Sequence, residues 1–238
     1  MPEDDDTLTF FLHVMKTAGT SFLFYLHTIF PPEVTYPARG APDTFERYWH
    51  TRPLLALSDD ERRRLRLVTG HLPFAAAERI GADRVVTILR DPVERTWSHL
   101  RQMSKDSIEH RDWPLERIYD DFGLLLTVFQ NYQVRQFAWP AEDCPGCNFD
   151  VIGIDDVAFE RAVANLDRVD VVGFTDRYDQ FLDEVTGRFG WPRRPAGRAR
   201  VSDDATPVPA WFRRRMTEHS AADLEFYEVA RHRRGPRP

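Results

Sequence analysis

Lysine is scarce in this chain. Of its 32 Lys and Arg residues only Lys16 and Lys105 are lysine, and Lys16 stands in "VMKTAGTSF", residues 14–22, among small and hydroxylated side chains. Set between a strand and a helix, such a loop cradles an anion. The first backbone N–H groups of the helix lack intrahelical partners, and the helix dipole adds positive potential there. Thr17, Thr20 and Ser21 supply hydroxyl donors. Ala18 and Gly19 are small, and Gly19 lets the backbone come close to a ligand. A Lys ammonium is compact and rides on a flexible stem, so it can follow an oxygen whose charge grows during group transfer. A planar guanidinium would crowd the turn.

A second candidate anion site is "TILRDPVERTWSHL", residues 87–100. Arg90 ends a strand and so points into the crevice at the sheet's carboxyl edge, where α/β ligands bind. Its guanidinium matches a phosphate bidentately. Ser98 lies about two helical turns past Pro92 and adds a hydroxyl. The plain alternative is an Arg90 paired with Asp91 or Glu94, and a Ser98 with no ligand. Among eight histidines, His71 in "LVTGHLPF" follows a strand end and a glycine, which puts a general base at the same edge. His13 falls within the first strand and reads as core. His99 follows Ser98 and reads as an outer neighbour of that site. His27, His50, His110, His219 and His232 carry no motif.

These side chains need elements to hold them. Residues 8–14 form a short apolar, β-rich run, and a helix begins after Gly19 and stops at Pro31 and Pro32. Residues 37–53 read as loop. Residues 64–70 are a second strand, with a short helix from Ala75. Residues 83–91 are a third strand, and residues 92–103 open a helix with Pro at its first position. Residues 122–139 are strongly apolar and predict one buried helix. Residues 155–166 are helical, 169–175 a fourth strand, and 177–190 a helix closed by Gly190. A Pro/Arg/Gly loop covers residues 191–209, and one or two helices run to about His232. Strands alternating with helices predict an α/β, P-loop-like three-layer sandwich with a mostly parallel central sheet flanked by helices. No repeat or linker interrupts it, so residues 1–238 read as one domain.

The bulk numbers exclude some classes. A net charge of -6 argues against nucleic-acid backbones as the main partner. No apolar run is long enough to span a bilayer. The acidic start "MPEDDDTLTFFLHV" resembles neither a secretory signal nor a transit peptide, so a cytoplasmic location is expected. Arginine runs such as "WPRRPAGRAR" and "WFRRRM" read as solvated faces, one of which borders an anionic ligand in the alternative reading. Cys144 and Cys147 in "DCPGCNF" lack the second ligand pair of a zinc site and read as a tight turn rather than a redox pair. The bias of arginine over lysine suggests a GC-rich bacterial genome.

With these motifs in hand, the chain resembles the PAPS-dependent sulfotransferases, in particular the carbohydrate group that includes the heparan-sulfate 2-O-sulfotransferases. "HVMKTAGTSF" is similar to that family's 5'-phosphosulfate loop, with Met15 where the family usually has Pro. "TILRDPVERTWSHL" is similar to its 3'-phosphate signature, L-R-D-P-x-x-R-x-x-S. "NYQVRQFAW" and "VDVVGFTDRYDQFLDEV" resemble later segments, so the likeness spans about residues 8–188. The resemblance implies that PAPS is the donor and PAP the product. It implies that Lys16, Thr17, Ala18, Gly19, Thr20, Ser21, Arg90 and Ser98 hold the nucleotide, with Lys16 and His71 catalytic. It also implies that a basic loop with Arg198, Arg200 and Ser202 closes over the nucleotide, against the alternative of a solvated loop. The expected partner is a small-molecule or glycan acceptor, and the expected reaction moves a sulfuryl group to its hydroxyl. No metal is expected, because a sulfuryl group carries less charge than a phosphoryl group.

Two rival readings belong to other classes. A P-loop kinase-like phosphotransferase would need G-x-x-x-x-G-K-[ST], but here Lys16 precedes the loop's only glycine. A catalytically silent nucleotide-binding module would bind PAP and transfer nothing. The intact Lys16, His71 and Arg90 speak against it. Gln133, Arg135 and Asn131 in "NYQVRQF" face either the core or the acceptor cleft.

Overall fold

The strands are apolar on both sides because helices cover both faces of the sheet. The computed structural model describes residues 6–40, 43–193 and 207–235. β1 (Thr9–Leu12) leads through a tight loop into α1 (Gly19–Leu26). β2 (Thr35–Tyr36), α2 (Thr44–Trp49), α3 (Arg52–Leu55) and α4 (Asp59–Arg64) precede β3 (Leu67–Gly70) and α5 (Phe74–Ile80). β4 (Arg84–Leu89) feeds α6 (Pro92–Asp106), followed by α7 (Leu115–Tyr119), α8 (Phe122–Leu124) and α9 (Tyr132–Ala138). α10 (Asp156–Asp167), β5 (Val171–Phe174), α11 (Tyr178–Phe189), α12 (Ala210–His219) and α13 (Ala221–Arg234) complete the order.

The five strands run in the order β2-β3-β1-β4-β5. Every pairing is parallel, with Leu12 level with Gly70 on one side and Thr87 on the other. The period-2 alternation of strands divides the core. Phe10, Leu12, Val85, Leu89, Val172 and Phe174 pack with α5, α6, α9, α10, α12 and α13. Phe11, Val86, Ile88 and Val171 pack with α1 and α11 on the opposite face. The chain leaves β1 toward one face and β3 and β4 toward the other. That divergence opens a crevice at the carboxyl edge, where parallel α/β sheets hold ligands. Among the described residues no helix is long and apolar enough to cross a membrane.

Several expectations need correction. Residues 37–53 contain α2 and α3 rather than loop alone. The arginine run at residues 61–66 belongs largely to α4, which a reciprocal capping box between Ser58 and Glu61 nucleates, so the strand starts at Leu67. The two-residue edge strand β2 is too short to leave a periodic signal. The single helix expected over residues 122–139 is broken. After α8 comes a π-turn at Leu125–Phe129, and Asn131 then sits in the left-handed region at φ 47° before α9 begins. Two buried guanidinium groups explain the break. Arg135 donates to the carbonyls of Leu126 and Thr127. Arg95 donates to those of Val128 and Phe129, at 2.9 and 3.1 Å. Four successive carbonyls thus serve buried cations instead of a regular helix ladder.

Candidate active site

The loop after β1 has an unusual backbone. Lys16 and Ala18 both adopt positive φ, 67° and 66°, a conformation that costs a non-glycine residue about 1 kcal/mol. The Thr17 hydroxyl donates to the Val14 carbonyl at 2.9 Å and pins the turn. Ala18 caps α1 without a side chain to satisfy its first N–H groups, which leaves the helix start suited to an anion. Thr20 and Ser21 lie in that first turn, with Ser21 buried and Thr20 half-buried. The Lys16 ammonium donates to Gln102 Oε1 at 2.8 Å, so α6 helps to aim it. Gly19 has a role the sequence did not show. A Cβ there would lie 2.1 Å from the His13 ring, so its missing side chain makes room for a histidine.

Arg90 follows β4 as expected, at the same edge. Its peptide is clamped by one side chain: Arg90 N–H donates to Gln133 Oε1 at 3.1 Å, and Gln133 Nε2 donates to the Arg90 carbonyl at 2.7 Å. Its Nη1 donates to the Lys16 carbonyl at 3.3 Å, which joins the two motifs. The nearby carboxylates are otherwise engaged. Asp91 caps α6 by accepting from the Glu94 N–H at 2.9 Å, and Glu94 pairs with Arg213 at 2.7 Å. Burial lowers the Arg90 pKa, and the neighbouring Arg101 lowers it further against the pull of Glu94 and Asp91. Two cations within electrostatic reach of one another favour an anion nearby. Arg101 was not singled out from the sequence. Its spacing of three from Ser98, which puts both on one helix face, was the available signal.

His71 lies directly after β3 and is buried. Its Nδ1 is 2.6 Å from the His13 carbonyl. A carbonyl only accepts, so Nδ1 carries the proton and Nε2 keeps a lone pair. Desolvation lowers its pKa to about 4, the His13 hydrogen bond opposing the shift. The imidazole is therefore neutral around pH 7. His13 is not simply a core residue of the strand. It follows β1, its ring lies 4.5 Å from that of His71, and its Nδ1 meets the Tyr48 hydroxyl. Burial, then His71 and Lys16, hold its pKa well below the usual histidine range. His99 is lowered likewise by burial, then by Arg95, Lys16 and His71. His13 and His99 thus both feel the Lys16 ammonium, and His71 stands beside His13.

Gln133, Arg135 and Asn131 all belong to the core side. The buried Asp223 carboxylate accepts the N–H groups of Gln133 at 3.1 Å and Val134 at 2.7 Å, and Asn131 Oδ1 accepts the Asp223 N–H at 3.1 Å. The Arg95 and Arg135 guanidiniums lie 4.7 and 5.4 Å from the Tyr132 ring, whose hydroxyl meets the Met15 backbone. Ser98 is half-buried on α6, on the stretch between Arg90 and Arg101. Arg198, Arg200 and Ser202 lie outside the described residues. Cys144 and Cys147 are free thiols on either side of a bend at Gly146, with burial raising both pKa values, Cys144 to about 11. Among the described residues no three His, Cys, Asp or Glu side chains gather as metal ligands.

The chain is thus an α/β fold whose parallel sheet carries a strand–loop–helix turn and basic side chains at its carboxyl edge. A solved sulfotransferase from Alicyclobacillus acidocaldarius is similar, with 17% sequence identity over 95% of this chain and 96% of that one and a TM-score of 0.49. No family model and no curated protein matches the chain.

Proposed function

We propose that this chain transfers a sulfuryl group from PAPS to a hydroxyl of a sugar or glycosylated small molecule. The observation that carries the reading is one sheet edge where an uncapped helix start, Lys16, Arg90 and a neutral His71 converge. The residues present suit the donor. The α1 start with Thr17, Ala18, Gly19, Thr20 and Ser21 would hold its 5'-phosphosulfate. Arg90, Ser98 and Arg101 would hold its 3'-phosphate, and Arg198, Arg200 and Ser202 are proposed to add contacts there.

The chain's own chemistry follows from its protonation states. His71 accepts the acceptor's hydroxyl proton at Nε2 while its Nδ1–H stays on the His13 carbonyl. The acceptor oxygen bonds to sulfur, and the sulfur–oxygen bond to the 5'-phosphate breaks. The electron pair stays on the phosphate oxygen, where the Lys16 ammonium offsets the growing charge. Gln102 keeps that ammonium oriented until then. Turnover assayed with PAPS, and separately with ATP plus magnesium, tests the reading. Turnover with PAPS alone is expected. Activity only with ATP and magnesium would establish the kinase-like alternative, and tight PAP binding without transfer to any hydroxyl would establish the silent module.

A further inference from the structure

Two exposed aromatic side chains share one neighbour. Single exposed apolar residues are normal on a protein surface, but Phe45 and Phe149, 79% and 40% exposed, flank the same ring. Trp49 stacks on Phe149 with centroids 5.1 Å apart and planes at 14°. Phe45 meets Trp49 at 6.1 Å. On its inner side Trp49 lies 4.3 Å from His71. A continuous row of rings therefore runs from the buried candidate base to solvent.

The row is held in place by backbone pairing. Asn148 N–H donates to the Trp49 carbonyl at 2.9 Å, Thr51 N–H donates to the Gly146 carbonyl at 3.1 Å, and His50 bridges to Cys147. The Thr51 hydroxyl also donates to the Pro145 carbonyl. This assigns a task to the Cys-Pro-Gly-Cys turn, which carries no redox or metal function in the reading above: it fixes Phe149 against Trp49. The cations beside the row have nearby counter-charges. Arg47 is tied to Asp43 one helical turn away, and Arg52 shares the space beside Gly146 with Asp150. A polyanionic chain would find little surplus positive charge among these residues, whereas a flat ring finds a ready stacking surface.

We propose that the Phe45–Trp49–Phe149 group is the acceptor subsite and that it takes an uncharged ring with an apolar face, presenting its hydroxyl to His71. Aromatic rings and the C–H faces of neutral sugars share that chemistry. The weak basicity of His71 also favours a hydroxyl that gives up its proton readily. The inference rests on the sulfuryl-transfer reading for the fate of the hydroxyl, but ring binding is measurable without any donor.

NMR titration of the full chain with three probes tests it: 2-naphthol, methyl β-D-glucopyranoside and the polyuronate N-acetylheparosan. One of the two neutral rings should bind, with an affinity that changes little from low to high salt. The tighter of the two tells an aromatic acceptor from a sugar. Phe149→Ala should weaken it about tenfold, the scale of one lost stacking pair, and Phe149→Trp should retain it. Because Phe45 and Phe149 are exposed, the Phe45→Ala/Phe149→Ala double variant should keep its melting temperature and its PAP affinity. Binding of the polyuronate alone with steep salt dependence, or ring binding untouched by the double variant, would overturn the proposal. If 2-naphthol binds and Phe149→Ala weakens it while PAPS supports no transfer, the ring subsite stands and the sulfuryl-transfer reading falls.

Discussion

The loop after β1 and the turn after β4 meet at one sheet edge, yet they are built in opposite ways. In the first, Lys16 and Ala18 take left-handed backbone conformations and α1 starts without a side-chain cap. In the second, Asp91 caps α6, Pro92 occupies its first position, and Gln133 takes both polar groups of the Arg90 peptide. The first region leaves its helix start without a side-chain cap, and in the second the peptide groups are taken and only the Arg90 side chain is left to the edge. An anion that satisfies the uncapped helix start would offset the strain stored there. A guanidinium fixed in advance loses less freedom when it binds.

The largest expected effect lies between the two regions, at His71. His71→Ala should lower turnover about a hundredfold or more, the scale of general-base catalysis, with PAP affinity retained. In the wild type the imidazole is neutral down to about pH 4, so turnover should stay flat across neutral pH and fall only toward that value. Stability carries the same sign. The unfolded His71 takes a proton near pH 6.5 and the folded one only near pH 4. The unfolded state therefore binds more protons in that window, and stability present above it is lost as pH falls through it. Denaturant titrations of wild type and His71→Ala across this range measure the difference, with a shallower slope expected for the variant. Near-normal turnover in His71→Ala would remove it from the chemistry and make His99 the next histidine to test.

Lys16→Ala probes the ligand-facing loop. In the proposed transfer its charge acts on the bridging oxygen as that becomes anionic, so kcat should fall far more than PAPS affinity. Pre-steady-state kinetics that show equal losses would reduce Lys16 to a phosphate ligand. Lys16→Arg should also be poor, because the tight turn excludes a bulky planar group.

On the prebuilt side, Arg90→Ala should weaken PAP by about 2 kcal/mol, the scale of lost charge-assisted hydrogen bonds, as read by calorimetry. Gln133→Leu leaves the Arg90 side chain in place but frees its peptide. A smaller loss of PAP affinity is expected, with a stability loss of about 2 kcal/mol for the two unmet backbone groups. Unchanged PAP affinity in Gln133→Leu would mean that Arg90 needs no clamp, and the contrast between the two regions would lose its meaning.

The smallest effect should come from Ala18→Gly. Glycine adopts positive φ freely, so it relieves strain in the folded loop while adding freedom to the unfolded chain. A net stability change under about 1 kcal/mol is expected from these opposing terms. Thermal unfolding showing a loss of several kcal/mol would mean that the Ala18 methyl, rather than its backbone, supports the loop.

How far the sequence could be read depended on the range of each interaction. The strands, the helices after Gly19 and Pro92, and the closing Gly190, which is left-handed at φ 67°, follow local rules of periodicity and capping. The apolar run at residues 122–139 misled because periodicity cannot register a guanidinium that will claim helix carbonyls from elsewhere in the chain. Arg95 reaches Val128 and Phe129 across more than thirty residues.

The candidate site divides the same way. Lys16, Arg90 and His71 were legible because each follows a strand end, and in a parallel sheet all strand ends point to one edge. Sequence alone thus determined the edge and the charge placed on it. It did not determine that His13 fills the space left by Gly19, that Gln133 clamps Arg90 from 43 residues away, or that Asp223 anchors Gln133 from 90 residues away. Nor did it determine that the Cys-Pro-Gly-Cys turn brings Phe149 against Trp49. Only the tertiary structure decided these partnerships, because a side chain's type shows which bonds it can make, while packing decides which partner comes within reach.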